Sequence, residues 1–143
     1  MVWQETATGP KVCQVVLPDE FAPVEDTIQT TFGGAVQQSR PPITELGEQI
    51  QSFLKGEAIV FDLDIVALEG CSEFQRRVLL AEYNIPRGWV STYGRIARQV
   101  GSPGGARAVG RALATNPFPI IIPCHRAILS NGELGGFQGG QKM

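Results

Sequence analysis

Apolar positions recur at helical spacing in several stretches of the chain. Ile43, Leu46, Ile50, Phe53 and Leu54 predict an amphipathic helix over 43–55, stopped at Gly56. Ser72 and Gln75 form a capping-box pattern ahead of FQRRVLLAEYN, which predicts a second helix ending before Pro86. Pro86-Arg87-Gly88 reads as a turn. In VSTYGRIARQV (90–100), Tyr93, Ile96, Ala97 and Val100 follow the i, i+3, i+4, i+7 pattern, with Ser91 or Thr92 available as the cap. GSPGG (101–105) breaks that helix, and a short one follows over roughly 105–114 with Ala106, Val109 and Leu113 on one face. Helix, tight glycine-containing turn and helix is the layout of a helix-turn-helix.

Strand character is patchier. KVCQVVLP (11–18) has β-branched, strand-like texture and ends at Pro18. Val60 to Val66 alternates in part, and Ile120-Ile121-Ile122 reads as a buried strand running into Pro123-Cys124-His125-Arg126. Residues 31–42, rich in Gly, Gln and Pro, read as turn and loop. No internal repeat or low-complexity tail is visible. The expected division is a small α/β domain over 1–70 and a second, mostly α domain over 71–143.

Charge sharpens that division. Residues 1–73 carry three basic and twelve acidic side chains, a net of −9; residues 74–143 carry nine and two, a net of +7. A basic half suggests a polyanion, with nucleic acid the first candidate; internal charge pairing between the halves is the alternative. At 143 residues and 43% hydrophobic content the chain can bury a core. No apolar run approaches the ~18 residues of a membrane helix, and the first residues lack a signal-peptide pattern. A cytoplasmic protein is expected, nuclear if its source is eukaryotic, with no membrane partner. Cys13, Cys71 and Cys124 are odd in number and lack metal-ligand spacing. Reduced thiols and no metal site are expected.

The 105–114 helix is nearly bald. Ala106, Val109 and Leu113 fall within about 60° of one another and face inward. Arg107 and Arg111 share the other side, among Gly104, Ala108, Gly110, Ala112 and Ala114. A major-groove helix normally offers polar side chains to base edges. This one suits close approach to a narrow groove, with an arginine able to fill the gap left by an extruded base. Tight packing on a neighbouring helix would use the same small residues.

His125 is the only histidine in the chain, and it follows a cysteine. A thiolate is the nucleophilic form of cysteine, and a rigid Pro-Cys-His turn would present one. Alone, the pair is a weak signal, because most buried cysteines are inert packing residues.

In context, NPFPIIIPCHR (116–126) closely resembles the active-site segment of the O6-alkylguanine-DNA alkyltransferases, the methylated-DNA–protein-cysteine methyltransferases. The resemblance runs back through VSTYGRIARQVGSPGGARAVGRALATNP and forward through SNGELGGFQGG, about residues 72–140. It implies a helix-turn-helix, winged-helix-like DNA-binding element whose second helix enters the minor groove. It implies direct repair of duplex DNA. O6-alkylguanine is flipped out and its alkyl group, O6-methyl for example, passes irreversibly to Cys124. Each molecule acts once, without a cofactor and as a monomer.

Carried onto this sequence, the resemblance makes His125 the base that withdraws the thiol proton through a water, and Asn116 the brace of the turn before the cysteine. Arg107 becomes the finger in the base stack. Tyr93 becomes the residue that helps rotate the nucleotide and hydrogen-bonds its base. Ala106, Ala108, Gly110, Arg111, Arg95 and Arg98 fall on the DNA-binding side, Arg126 serving DNA or the fold equally. Tyr93, Pro119, Ala127, Ser130 and Phe137 surround the guanine pocket. Family members usually continue past the Gly-Gly pair with a helix whose glutamate holds the catalytic histidine. Here the sequence ends at Met143, and Glu133 is the acid nearest in sequence. Slower transfer, or a substitute partner for His125, is therefore expected. The alternatives are a non-catalytic alkyltransferase-like protein that binds and flags alkylated DNA, a helix-turn-helix transcription factor, and a cysteine hydrolase.

Overall fold

The chain folds as two units, Met1–Ala67 and Leu68–Met143, in a computed structural model that describes residues 1–18 and 23–136.

The first unit opens with a hairpin. β1 (Val2–Thr6) pairs antiparallel with β2 (Gly9–Gln14), Trp3 opposite Val12 and Thr6 opposite Gly9. Gly9 takes a φ of 110°, which a β-carbon would oppose, and the Thr6 hydroxyl closes the turn on the Gly9 carbonyl at 2.7 Å. Sequence reading missed β1 and placed β2 too late: the strand ends at Gln14, not at Pro18. It also passed over α1 (Val24–Thr31), an eight-residue helix that buries no side chain and so leaves little apolar periodicity to read.

α2 (Pro41–Leu54) matches its prediction. Prolines occupy its first turn, where a missing N–H costs nothing, and Ile43 and Leu46 are buried. The expected strand within 58–68 is not one. Asp62 accepts a hydrogen bond from the Asp64 amide and starts a 3₁₀ turn over Leu63–Ile65, and only Val66 bridges back to Val12. A side chain that caps its own backbone competes with ladder pairing. Phe61 packs on Phe53, ring centroids 5.5 Å apart.

The second unit is mostly helical, with one short parallel strand pair. Ser72 caps α3 (Glu73–Tyr83), its hydroxyl accepting from the Gln75 amide. The Gln75 side chain does not complete the predicted box. It reaches the carbonyls of Ala112 and Thr115, at 3.2 and 3.1 Å, and so ties α3 to the end of a later helix. Gly88, at a φ of 83°, serves the following turn. Thr92 caps α4 (Tyr93–Gln99), and α5 (Ala106–Ala114) follows after the glycine-rich turn. α3, α4 and α5 pack on one another around Val78, Leu79, Ile96, Ala97, Val109 and Leu113. β3 (Ser91–Thr92) pairs with β4 (Ala127–Ile128).

Candidate active site

The segment from Asn116 to Arg126 joins α5 to β4 and carries the cysteine. Its isoleucines do not form the expected strand; residues 117–122 run as turns and bends. Pro117, Pro119 and Pro123 remove amide donors that a ladder would need. Ile120 takes a φ of 75°, outside the range a β-branched residue prefers. Phe118, Ile121 and Ile122 still drive the segment into the core, each at most 1% exposed. The chain is therefore folded back tightly and anchored by burial.

Asn116 is the polar fastening of that fold. It is buried; its Oδ1 accepts from the Phe118 amide at 2.9 Å and its Nδ2 donates to the Ile122 carbonyl at 3.0 Å. These bonds span the turn and fix the approach to Pro123. Cys124 then begins a single 3₁₀ turn over Cys124–Arg126.

The electrostatics favour a neutral resting pair. Burial pushes the Cys124 thiol up from its ordinary value, against a hydrogen bond from Asn116, and Glu82 adds to the rise. His125 moves the other way: partial burial, then the Arg126 guanidinium, holds its imidazole below the usual range. The thiol therefore keeps its proton, and His125, the next residue and exposed, is held unprotonated. Arg126 is turned inward, donating from Nη1 to the Ile85 carbonyl just past α3, so it serves the fold.

Tyr93, at the head of α4, is half-buried. Burial, then Glu82 and Cys124, raises its phenol, which keeps the O–H as a donor. Its ring lies against Gly110 of α5, and its hydroxyl lies against Gly135. A β-carbon at Gly135 would meet that hydroxyl and stand 3.0 Å from Cζ, so glycine there permits the close approach.

The remaining sequence-predicted residues divide. Arg95, Arg98, Arg107, Arg111 and Ala108 are exposed, Ala106 and Gly110 half-buried. Ala112, read from sequence as part of the bald face, is 8% exposed and packs inward instead. Pro119 and Ala127 are buried, Ala127 within β4 against Ser91; Ser130 is exposed. Phe137 lies outside the described residues. Cys13 and Cys71 are half-buried. Sequence reading missed Glu82, wholly buried on α3, and nothing in a glutamate at a helical position signals burial.

Residues 73–143 match the family model of the 6-O-methylguanine DNA methyltransferase DNA-binding domain. The chain is 47% identical over 107 residues to the methylated-DNA–protein-cysteine methyltransferase of Methanothermobacter thermautotrophicus, covering 73% of this chain and 60% of that protein. It is similar to the crystal structure of the O6-methylguanine methyltransferase of Mycobacterium tuberculosis, at 30% identity and a TM-score of 0.69, covering 96% of this chain and 83% of that one. Against the crystal structure of Mycobacterium tuberculosis OGT in complex with DNA, identity is 41% and the TM-score 0.61, over 68% of this chain and 59% of that one. The chain thus spans 60% of the length of the archaeal relative.

Proposed function

The chain belongs to the 6-O-methylguanine DNA methyltransferase family, and on that premise we propose that it repairs DNA by direct reversal, moving the alkyl group of O6-alkylguanine to its own Cys124 in one turnover. One observation carries this reading: a part-buried thiol begins a turn braced by Asn116, and the next residue along the chain is an imidazole held below its usual pKa range. Inert packing would require no such neighbour.

The chemistry is a displacement at carbon. His125 takes the thiol proton, directly or through a water, and the sulfur attacks the alkyl carbon. The carbon–oxygen bond breaks, and the electron pair leaves with the guanine oxygen. The Tyr93 O–H donates to the departing base. The product is a thioether, which water does not reverse, so one protein molecule repairs one lesion. No cofactor enters the balance.

The target oxygen is inside the duplex, so the nucleotide has to leave the stack. α4 and α5 make the helix-turn-helix, winged-helix-like element, and α5 enters the minor groove. Its small residues allow close approach, and Arg107 fills the vacated position. Arg95, Arg98 and Arg111 contact phosphates, which makes binding salt-dependent and largely indifferent to sequence. Tyr93, Pro119, Ala127 and Ser130 enclose the guanine. The protein acts as a monomer.

The test is an intact-mass experiment on protein mixed with duplex DNA carrying one O6-methylguanine. One methyl group on Cys124, absent in Cys124→Ser, is the expected result. Unmodified protein that still prefers the lesion duplex would replace this reading with the damage-flagging one.

A further inference from the structure

Glu82 is the most unexpected residue in the described core. It is wholly buried on α3, among the apolar positions Val78, Leu79 and Ala81. Neither carboxyl oxygen reaches solvent, and neither makes a hydrogen bond of ordinary geometry among the described residues. An ionised carboxylate in that setting is costly, so the acid form is favoured. Burial pushes its pKa up to about 8, against the Arg126 guanidinium and the backbone amides of Ala127 and Arg126, which face it.

Its place in the fold gives this burial a meaning. α3 packs directly on the Cys124–Arg126 turn. Arg126 is fastened to the carbonyl of Ile85, three residues beyond Glu82. The carboxyl therefore lies beneath the turn that presents the reactive thiol. Three titratable groups share its field: Arg126 and Cys124 from the turn, and Tyr93 from α4. Arg87 acts on Arg126 from the loop after α3, and His125 feels Arg126 from the same turn. The α5 arginines, Arg107 and Arg111, are exposed.

We propose that Glu82 is a positioning residue of the transfer site: a buried carboxyl that backs the Cys124–Arg126 turn and whose charge state governs how readily Cys124 gives up its proton. The inference rests on the function proposed above only insofar as the thiol is an alkyl acceptor. While Glu82 carries its proton, the thiolate forms without a like charge beside it. Once Glu82 ionises, two negative charges compete within one dry cluster, and each resists the other.

The thiol can be titrated without DNA. In a Cys13→Ser/Cys71→Ser background, Cys124 is the only thiol, and its rate of alkylation by iodoacetamide follows its ionisation from pH 6 to 10. Glu82→Gln keeps the shape and removes the charge. It is expected to move the midpoint toward lower pH by roughly one unit. A purely structural role would leave the midpoint where it is, and an unmoved midpoint in folded Glu82→Gln overturns the proposal. A second variant covers the case in which that one does not fold: Glu82→Met removes the charge and fills the buried site with an apolar chain, and it is expected to lower the same Cys124 midpoint by a similar amount. An unmoved midpoint in that variant overturns the proposal as well. Absence of methyl transfer to wild-type protein would instead count against the proposed function, and the thiol titration would still decide the role of Glu82.

Discussion

The two units solve the problem of a core differently. Met1–Ala67 buries Val12, Ile43, Leu46, Phe61 and Val66, and no polar side chain among its described residues. The second unit buries Val78, Leu79, Ile96, Val109, Phe118, Ile121 and Ile122, and admits Glu82 and Asn116 beside them. Both of those polar residues adjoin the cysteine turn. A polar group in a dry core costs free energy unless it is partnered. A fold carries that cost where a backbone has to be held or a proton has to move. The first unit therefore reads as scaffold, and the polar part of the second core lies at the proposed reactive centre.

The sharpest way to break this comparison is to remove the partnered polar group. Asn116→Ala leaves the Phe118 amide unpaired inside the core and strips the Ile122 carbonyl of one bond, leaving it the one from the Cys124 amide at 2.9 Å. An orphaned buried amide costs about 1–3 kcal/mol and a lost carbonyl bond about 0.5–1.5 kcal/mol, so thermal or denaturant unfolding of the second unit should show a loss of about 2–4 kcal/mol. Methyl transfer, read by intact mass at a temperature where the variant is folded, should fall by about 100-fold as the turn loosens. A variant that kept its transfer rate would show that the proline-rich segment holds itself.

The next comparison sets Glu82 against an apolar position in the other core. The folded-state pKa of Glu82 is raised, to about 8, from an ordinary 4.5. Folding therefore favours the protonated form. That contribution is complete below about pH 4.5 and is lost as pH rises through about 8. Wild-type stability should decline across this window by a few kcal/mol at most, at about 1.4 kcal/mol per pKa unit. Glu82→Gln should flatten the decline in pH-dependent melts. Leu46→Ala in the first unit removes buried methyl groups and should cost about 2–5 kcal/mol with no slope over the same window. Parallel pH profiles for wild type and Glu82→Gln would mean that Glu82 is not the group that titrates.

The same contrast explains what could be read from sequence. α2, α3, α4 and α5 were legible because each buries one face; Ser72 and Thr92 mark the starts of α3 and α4 and a glycine turn that of α5, whereas Pro41 and Pro42 at the start of α2 were assigned to the loop before it. The Ile120–Ile122 run was misread because β-branched texture is also what anchors a buried turn, and three prolines outvote it. The Val60–Val66 run failed for a related reason, the Asp62 side chain taking a backbone amide that a strand would have used. β1 was missed, although Thr-Ala-Thr-Gly before Pro10 is a usable turn signal. At the candidate site, the motif singled out Cys124, His125, Asn116, Tyr93 and Arg107. Glu82 was illegible, because only the packing of α3 on the cysteine turn distinguishes it from a solvent-facing glutamate.

The smallest predicted effect tests whether the scaffold reading extends to the surface of the first unit. Arg40, just before α2, donates from Nε to Glu5 of β1 at 3.3 Å, with both side chains more than half exposed. Water and salt screen such a pair, and holding two long side chains in place offsets much of the attraction. Arg40→Ala should therefore change the stability of the first unit by less than about 0.5 kcal/mol, and the change should vanish at ~1 M salt. Arg126 is the opposite case, an arginine drawn inward onto a backbone carbonyl under the reactive turn. A larger, salt-resistant loss in Arg40→Ala would mean that the hairpin is held to α2 by this pair. Val12 and Leu46 would then be sharing the work of the scaffold with a polar contact, and the line between an apolar core and a polar one would no longer follow the line between the two units.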